Sequence, residues 1–173
     1  MRRIAIVGVG NRLMGDDGCG SYIAEFLRDK VQGADVIDLG SSGVNSLDLL
    51  KDYDVLIIID AMLGENDVEV RKMETSVDEE EMTSTVLDLE YSGSHGVGIQ
   101  SLLFMLKLMG FSPEVYLIGC KPYKIEPGVG LSEEVRKNLP LVVRELINLA
   151  SKFNVRIEES AIKEVDKIEY RLN

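Results

Sequence analysis

The chain has 173 residues, enough for one compact core and too few for two domains of ordinary size. Apolar residues make up 45% and charged residues 28%, the balance of an ordinary globular protein. A formal net charge of -11 with no basic stripe excludes nucleic acid as a partner, and makes any tight cluster of carboxylates costly unless a cation or a proton relieves it.

The first predicted element is an apolar strand at Ile4–Val9. The Met-Arg-Arg start lacks the apolar stretch and cleavage site of a secretory signal, and no later run is long enough to cross a bilayer. Two cysteines, Cys19 and Cys120, are too few for a disulfide framework and read as small buried hydrophobes in a reducing compartment. The expected location is therefore the cytoplasm, with no membrane contact.

The strand runs into the loop "GNRLMGDDG" at 10–18. Gly8 and Gly10 fit the start of a dinucleotide fingerprint, but Leu13 stands where its third glycine belongs. Gly10 and Gly15 have P-loop spacing, yet Asp16 and Asp17 replace the lysine and hydroxyl residue that phosphates need. Two carboxylates there repel a phosphate. A helix over 19–31 follows, with Ile23, Ala24, Phe26, Leu27 and Val31 at helical spacing, so capping accounts for one aspartate of the pair.

A second strand at 34–39 leads into "DLGSSG" and a helix over 44–51. The turn residues Gly40, Ser41, Ser42 and Gly43 either bring backbone N–H groups to a substrate or simply turn the chain. A third strand, "VLIIIDA", drives five apolar residues into Asp60. In open parallel sheets, ligands gather outside the carboxyl ends of the strands, near the point where strand order reverses. If the first and third strands are neighbours, Asp60 faces the Asp16–Asp17 loop across about 5 Å. Its plainer task is to cap the next turn.

Next comes an acidic excursion over 65–89, opened by an alternating edge strand at Val68–Met73. The single histidine, His95, lies in "SGSHGVG" just before a helix over 99–109. A strand at Glu114–Cys120 and a helix over 132–152 complete residues 1–152, and 153–173 form a charged tail expected to pack loosely. Strands alternating with helices predict an α/β fold, a three-layer αβα sandwich around a mostly parallel five-stranded sheet.

Two carboxylates and one imidazole, Asp17, Asp60 and His95, suit a borderline divalent metal with open positions for substrate. Rival chemistries fail on residue types. There is no G-x-S-x-G elbow, one histidine cannot make an H-E-x-x-H site, and the aspartates beside Cys19 would raise its pKa.

Taken together, "GVGNRLMGDDGCG", "DLGSSG", "LIIIDA", "SHGVGI" and "LIGCKPYKIEPGVGLS" resemble, in order, the nickel-dependent hydrogenase maturation endopeptidases. The resemblance covers about the first 150 residues. It implies removal of a short C-terminal extension from the large-subunit precursor of a [NiFe] hydrogenase after nickel insertion. It also implies that Asp17, Asp60 and His95 contact nickel presented by that precursor, with no tightly bound metal in the resting enzyme. Asp16 either caps the helix, orients Asp17 or supplies a general base. One departure is Gly93, where the family often has a serine two positions before the histidine. A nucleotide-binding α/β module and a non-proteolytic nickel metallochaperone are the alternative readings.

Overall fold

Three apolar runs lie edge to edge at the centre of the molecule. The computed structural model describes residues 1–41, 46–74, 99–168 and 170. In it β1 (Ile4–Val9) is followed by a short β2 (Val31–Gln32) and then by β3 (Asp35–Gly40) and β4 (Val55–Ala61). The order across the main sheet is β3-β1-β4-β6-β5, where β5 is Val68–Met73 and β6 is Glu114–Cys120. All neighbours are parallel except β5, which runs antiparallel along β6 as the expected edge strand. The five-stranded, mostly parallel sheet is as read from the sequence.

Alternation along the strands builds two apolar layers, because successive side chains of a strand point to opposite faces. Ile4, Ile6, Val55, Ile57, Ile59 and Ile118 join one cluster with α1 (Cys19–Leu27) and a later helix, Glu133–Ser151. Ala5, Val7, Leu56, Ile58, Val115 and Leu117 join the other with α2 (Leu47–Leu50) and α3 (Ile99–Leu108). Helices therefore cover both faces, the predicted three layers. The long helix is α4, and Ser132 caps it by accepting the Val135 N–H.

Close packing at one point sets the position of α1. A Cβ on Gly20 would stand 2.0 Å from the Ile59 carbonyl and 2.4 Å from that of Val9. A Cβ on Gly8 would meet the Gly20 carbonyl at 2.2 Å. Only glycine at both places lets the first turn of α1 rest on the ends of β1 and β4.

Two features differ from the sequence reading. Residues 153–168 do not pack loosely: Val155, Ile157, Ala161 and Val165 are buried in the cluster under α4. Their segment adds β7 (Arg156–Ile157), paired antiparallel with β2, and α5 (Ala161–Glu164). Charged neighbours masked four apolar residues that reach the core. The cysteines also differ. Both are buried as expected, but Cys19 and Cys120 form a disulfide. Sheet order explains the meeting, because β1 runs into α1 one strand away from β4, and β6 flanks β4 on its other side.

Candidate active site

Sheet order places the carboxyl ends of β1 and β4 side by side, with Gly8 in register with Ile59. From β1 the chain returns through α1 on one face; on the way from β4 to β6 it returns through α3 on the other. A crevice opens between strand ends whose connections part in this way. Asp60 ends β4 at this point, and Asp17 stands in the single 3-10 turn Gly15–Gly18 that joins β1 to α1.

The two carboxylates are both half-buried and close enough to repel each other. Asp17 is oriented by the Asn11 N–H, which donates to its Oδ2 at 3.1 Å. Asp60 Oδ1 accepts the Ala61 N–H at 2.8 Å. Burial pushes the Asp60 carboxyl up to about 7, with the Ala61 N–H working against the shift and the charge of Asp17 adding to it. A carboxyl poised there exchanges its proton readily near neutral pH, and a cation placed between the pair would relieve both burial and repulsion. Strand alternation sends Asp60 toward the face covered by α2 and α3, since Ile59 points to the opposite one.

Asp16 has a different situation. Its side chain is fully buried and accepts from the N–H groups of Tyr123 (2.8 Å), Lys124 (2.7 Å) and Ser132 (2.7 Å) and from the Ser132 hydroxyl (2.8 Å). Main-chain bonds reinforce the junction: Asp16 N–H to the Lys124 carbonyl, Gly15 N–H to that of Gly128, and Gly128 N–H to that of Leu13. The loop after β1 and the loop after β6 are thus fastened together beside the end of β4. The Cys19–Cys120 disulfide adds a covalent tie beside them, between the first residue of α1 and the last of β6. Of the three tasks open to Asp16, this geometry favours holding and orienting the loop that carries Asp17.

Gly40 reaches the same edge. Its φ of +55° is a left-handed conformation that favours glycine, and its carbonyl accepts the Gly10 N–H at 3.0 Å. Ser41 is exposed beside it. Ser42, Gly43 and His95 lie outside the described residues. Among the described residues, no group of three or more His, Cys, Asp and Glu side chains is arranged to hold a metal ion. Among the described residues, the candidate site brings Asp17 and Asp60 together, with Asp16 and Gly40 bonded into the loops around them.

The sequence reading missed Arg12, Asp38 and Ser21, which join the loop after β1 to α1 and β3. It also did not anticipate that the loop 121–132 closes on Asp16. An arginine inside a loop that otherwise looks like an anion cradle was the available signal for the first; the second had none, because the partners are 107 to 116 residues away.

With this geometry in place, the comparisons with known proteins are direct. Residues 21–149 match the family model described as hydrogenase maturation protease. The chain belongs to that family. The crystal structure of a hydrogenase 2 maturation peptidase from Thaumarchaeota archaeon SCGC_AB-539-E09 is similar at 30% identity, with 88% of this chain and 99% of that one covered and a TM-score of 0.61. The hydrogenase maturating endopeptidase HybD from Escherichia coli superposes with a TM-score of 0.71 at 26% identity, covering 89% and 95% of the two chains. A hydrogenase 2 maturation protease of E. coli K12 is 28% identical over 149 residues, 84% of this chain and 88% of the relative. The activity of the chain is accordingly that of a hydrogenase maturation endopeptidase. No helix among the described residues is long and apolar enough to cross a membrane.

Proposed function

We propose that this endopeptidase removes the C-terminal extension from the large-subunit precursor of a [NiFe] hydrogenase, in the cytoplasm, and that it acts only once the precursor holds nickel. Residues 1–152 supply the catalytic domain and 153–173 its tail. The observation that carries the reading is the pair Asp17 and Asp60 at the junction of β1 and β4, two half-buried carboxyls that repel each other and lack a cationic partner at the described edge. Such a pair suits a substrate that brings its own cation.

In this reading the precursor presents nickel held by its own cysteines, and Asp17, Asp60 and His95 contact it as part of the substrate. The contact checks that insertion is complete and sets the scissile bond at the crevice. Asp60, with its pKa near 7, is placed to give up a proton on contact and to serve in acid–base steps at the peptide bond. Gly40, Ser41, Ser42 and Gly43 follow β3 in the chain, and in this reading their main-chain N–H groups donate to the extended peptide or its oxyanion. Asp16 keeps the loop of Asp17 in place.

The experiment is cleavage of the cognate precursor, prepared with and without nickel, read by intact-mass spectrometry. Loss of a short C-terminal peptide from the nickel-loaded form alone is the expected result. Cleavage of both forms removes the nickel requirement. No cleavage of a correctly loaded precursor, with nickel transferred instead, replaces protease by metallochaperone.

A further inference from the structure

We propose that Asp38 is a positioning residue for Asp17 and that Arg12 is the partner through which it acts; this rests on the reading of Asp17 as a substrate contact. Asp38 lies near the carboxyl end of β3 and Arg12 in the loop that follows β1. Their effect runs through the short segment Gly10-Asn11, whose Asn11 N–H is the hydrogen bond that orients the Asp17 carboxylate.

Asp38 uses both of its oxygens. Oδ2 accepts from the Arg12 guanidinium at 2.8 Å. Oδ1 accepts from the Ser21 hydroxyl at 2.8 Å and from the Gly40 N–H at 2.9 Å. Each of these partners then holds one side of the segment. Gly40, fixed by Asp38, takes the Gly10 N–H on its carbonyl. Arg12, adjoining Asn11, is held at Asp38, at Ser21 (Oγ 2.7 Å, carbonyl 3.1 Å) and at Glu25, with its guanidinium 5.0 Å from the centre of the Tyr22 ring. Residues 10 to 12 are thereby clamped from both ends by one carboxylate.

Sheet geometry supplies a second, independent observation. The ladder between β1 and β3 is regular up to Gly8 opposite Asp38, and then shifts so that Val9 lies opposite Gly40. Regular strand pairing ceases to specify the chain where the segment begins. The Asp38 side chain sits at that break and takes over from the ladder. The Arg12 side chain is 11% exposed and that of Asp38 19%. A largely buried ion pair adds little net stability against an apolar replacement, because desolvation offsets the attraction. What it does provide here is a fixed direction for the two loops that meet at Asp17.

The test uses the full-length enzyme with Asp38→Asn, Asp38→Ala, Arg12→Met and Arg12→Lys. Asparagine keeps an acceptor for the Gly40 N–H while losing the ion pair, so it serves where alanine fails to fold. Amide hydrogen exchange is read at Gly10, Asn11 and Gly40, with Val142 and Val143 in α4 as the core reference. Cleavage of nickel-loaded precursor is read as kcat and KM separately. The expected result is exchange faster by about tenfold or more at Gly10 and Asn11 with the reference unchanged. KM should rise about tenfold with kcat within about threefold, and Arg12→Lys should recover only part of the loss that Arg12→Met causes, since one ammonium cannot replace every guanidinium bond. Unchanged exchange at Gly10 and Asn11 overturns the proposal, as does faster exchange that leaves both kcat and KM at wild-type values. Failure of the wild-type enzyme to cleave loaded precursor counts against the protease reading instead; exchange at Asn11 then decides the role of Asp38 by itself, upheld if faster and overturned if not.

Discussion

Asp16 and Ser132, 116 residues apart in the chain, are joined twice: the Ser132 N–H donates to Oδ1 at 2.7 Å and the Ser132 hydroxyl to Oδ2 at 2.8 Å. The same serine caps α4 through the Val135 N–H, so one residue links the start of the longest helix to the loop that bears Asp17. Replacing Asp16 by alanine removes the buried acceptor of the N–H groups of Tyr123, Lys124 and Ser132. The expected loss is about 3 kcal/mol of stability, the scale for breaking charge-assisted hydrogen bonds and leaving buried donors unpaired. Urea denaturation measures it. A change of stability below about 0.5 kcal/mol with activity abolished would return Asp16 to a purely chemical role.

Asp60 makes the opposite contribution. Its folded pKa of about 7 lies above the ordinary 3.8, so the folded protein holds the proton more tightly than the unfolded chain. The stability linked to that proton is full below about pH 4 and is lost as pH rises through 7. Asp60→Asn removes the buried charge. Thermal melts should therefore show the variant more stable than wild type at pH 8, with the gap closing toward pH 4, while cleavage is lost. Equal melting temperatures at both pH values would mean that Asp60 carries no burial cost.

Gly20 sets helix propensity against packing. Alanine is favoured over glycine in a helix by about 1 kcal/mol. At this position, however, the new methyl would stand 2.0 Å from the Ile59 carbonyl, which is main chain and cannot swing aside. Overpacking of this kind costs about 1–3 kcal/mol. Gly20→Ala should lower the denaturation midpoint, and it should also weaken cleavage, because the shift falls between Asp17 and Asp60. A stabilised variant would show that α1 is not seated as described.

The disulfide gives a chemical prediction. Alkylation of the denatured, unreduced protein followed by mass spectrometry should find no free thiol; prior reduction should expose two. The bridge spans 101 residues, and a loop of that order restrains the unfolded chain by about 5 kcal/mol at most in the chain-entropy account, with native-state strain subtracting from it. Reduction should lower stability by about 2–4 kcal/mol, and it should be slow under native conditions, since both cysteines are buried. Ready alkylation of the native protein would contradict the pairing.

Asp60 was legible in the sequence because a buried strand that ends in a charge has few structural uses, and "LIIIDA" shows the transition in six letters. The neighbouring pair at 16 and 17 was legible as unusual, but its division of labour was not. Only the folded arrangement reveals that Asp17 comes near enough for its charge to act on Asp60 while Asp16 turns to residues 123–132, more than a hundred positions away. A separation of 101 residues hid the cysteine pair, and one of 26 the ion pair of Arg12 with Asp38. Local patterning located β1, β3, β4, β5 and β6, since each strand carries its own alternation or apolar run. It misjudged 153–168, where burial depends on α4 rather than on neighbours in sequence.

The fastening of the loop after β6 separates shape from surface. Its attachment to the rest of the molecule uses main-chain groups, the Asp16 carboxylate, Ser132 and the hydroxyls of Tyr22 and Tyr123, whereas the side chains of Leu13, Ile125 and Val129 stand 56%, 54% and 48% exposed around it. Those side chains can be exchanged without loosening a single tie. Within such a framework the outer face of the loop is free to change its chemistry while the carboxylates beneath keep their places.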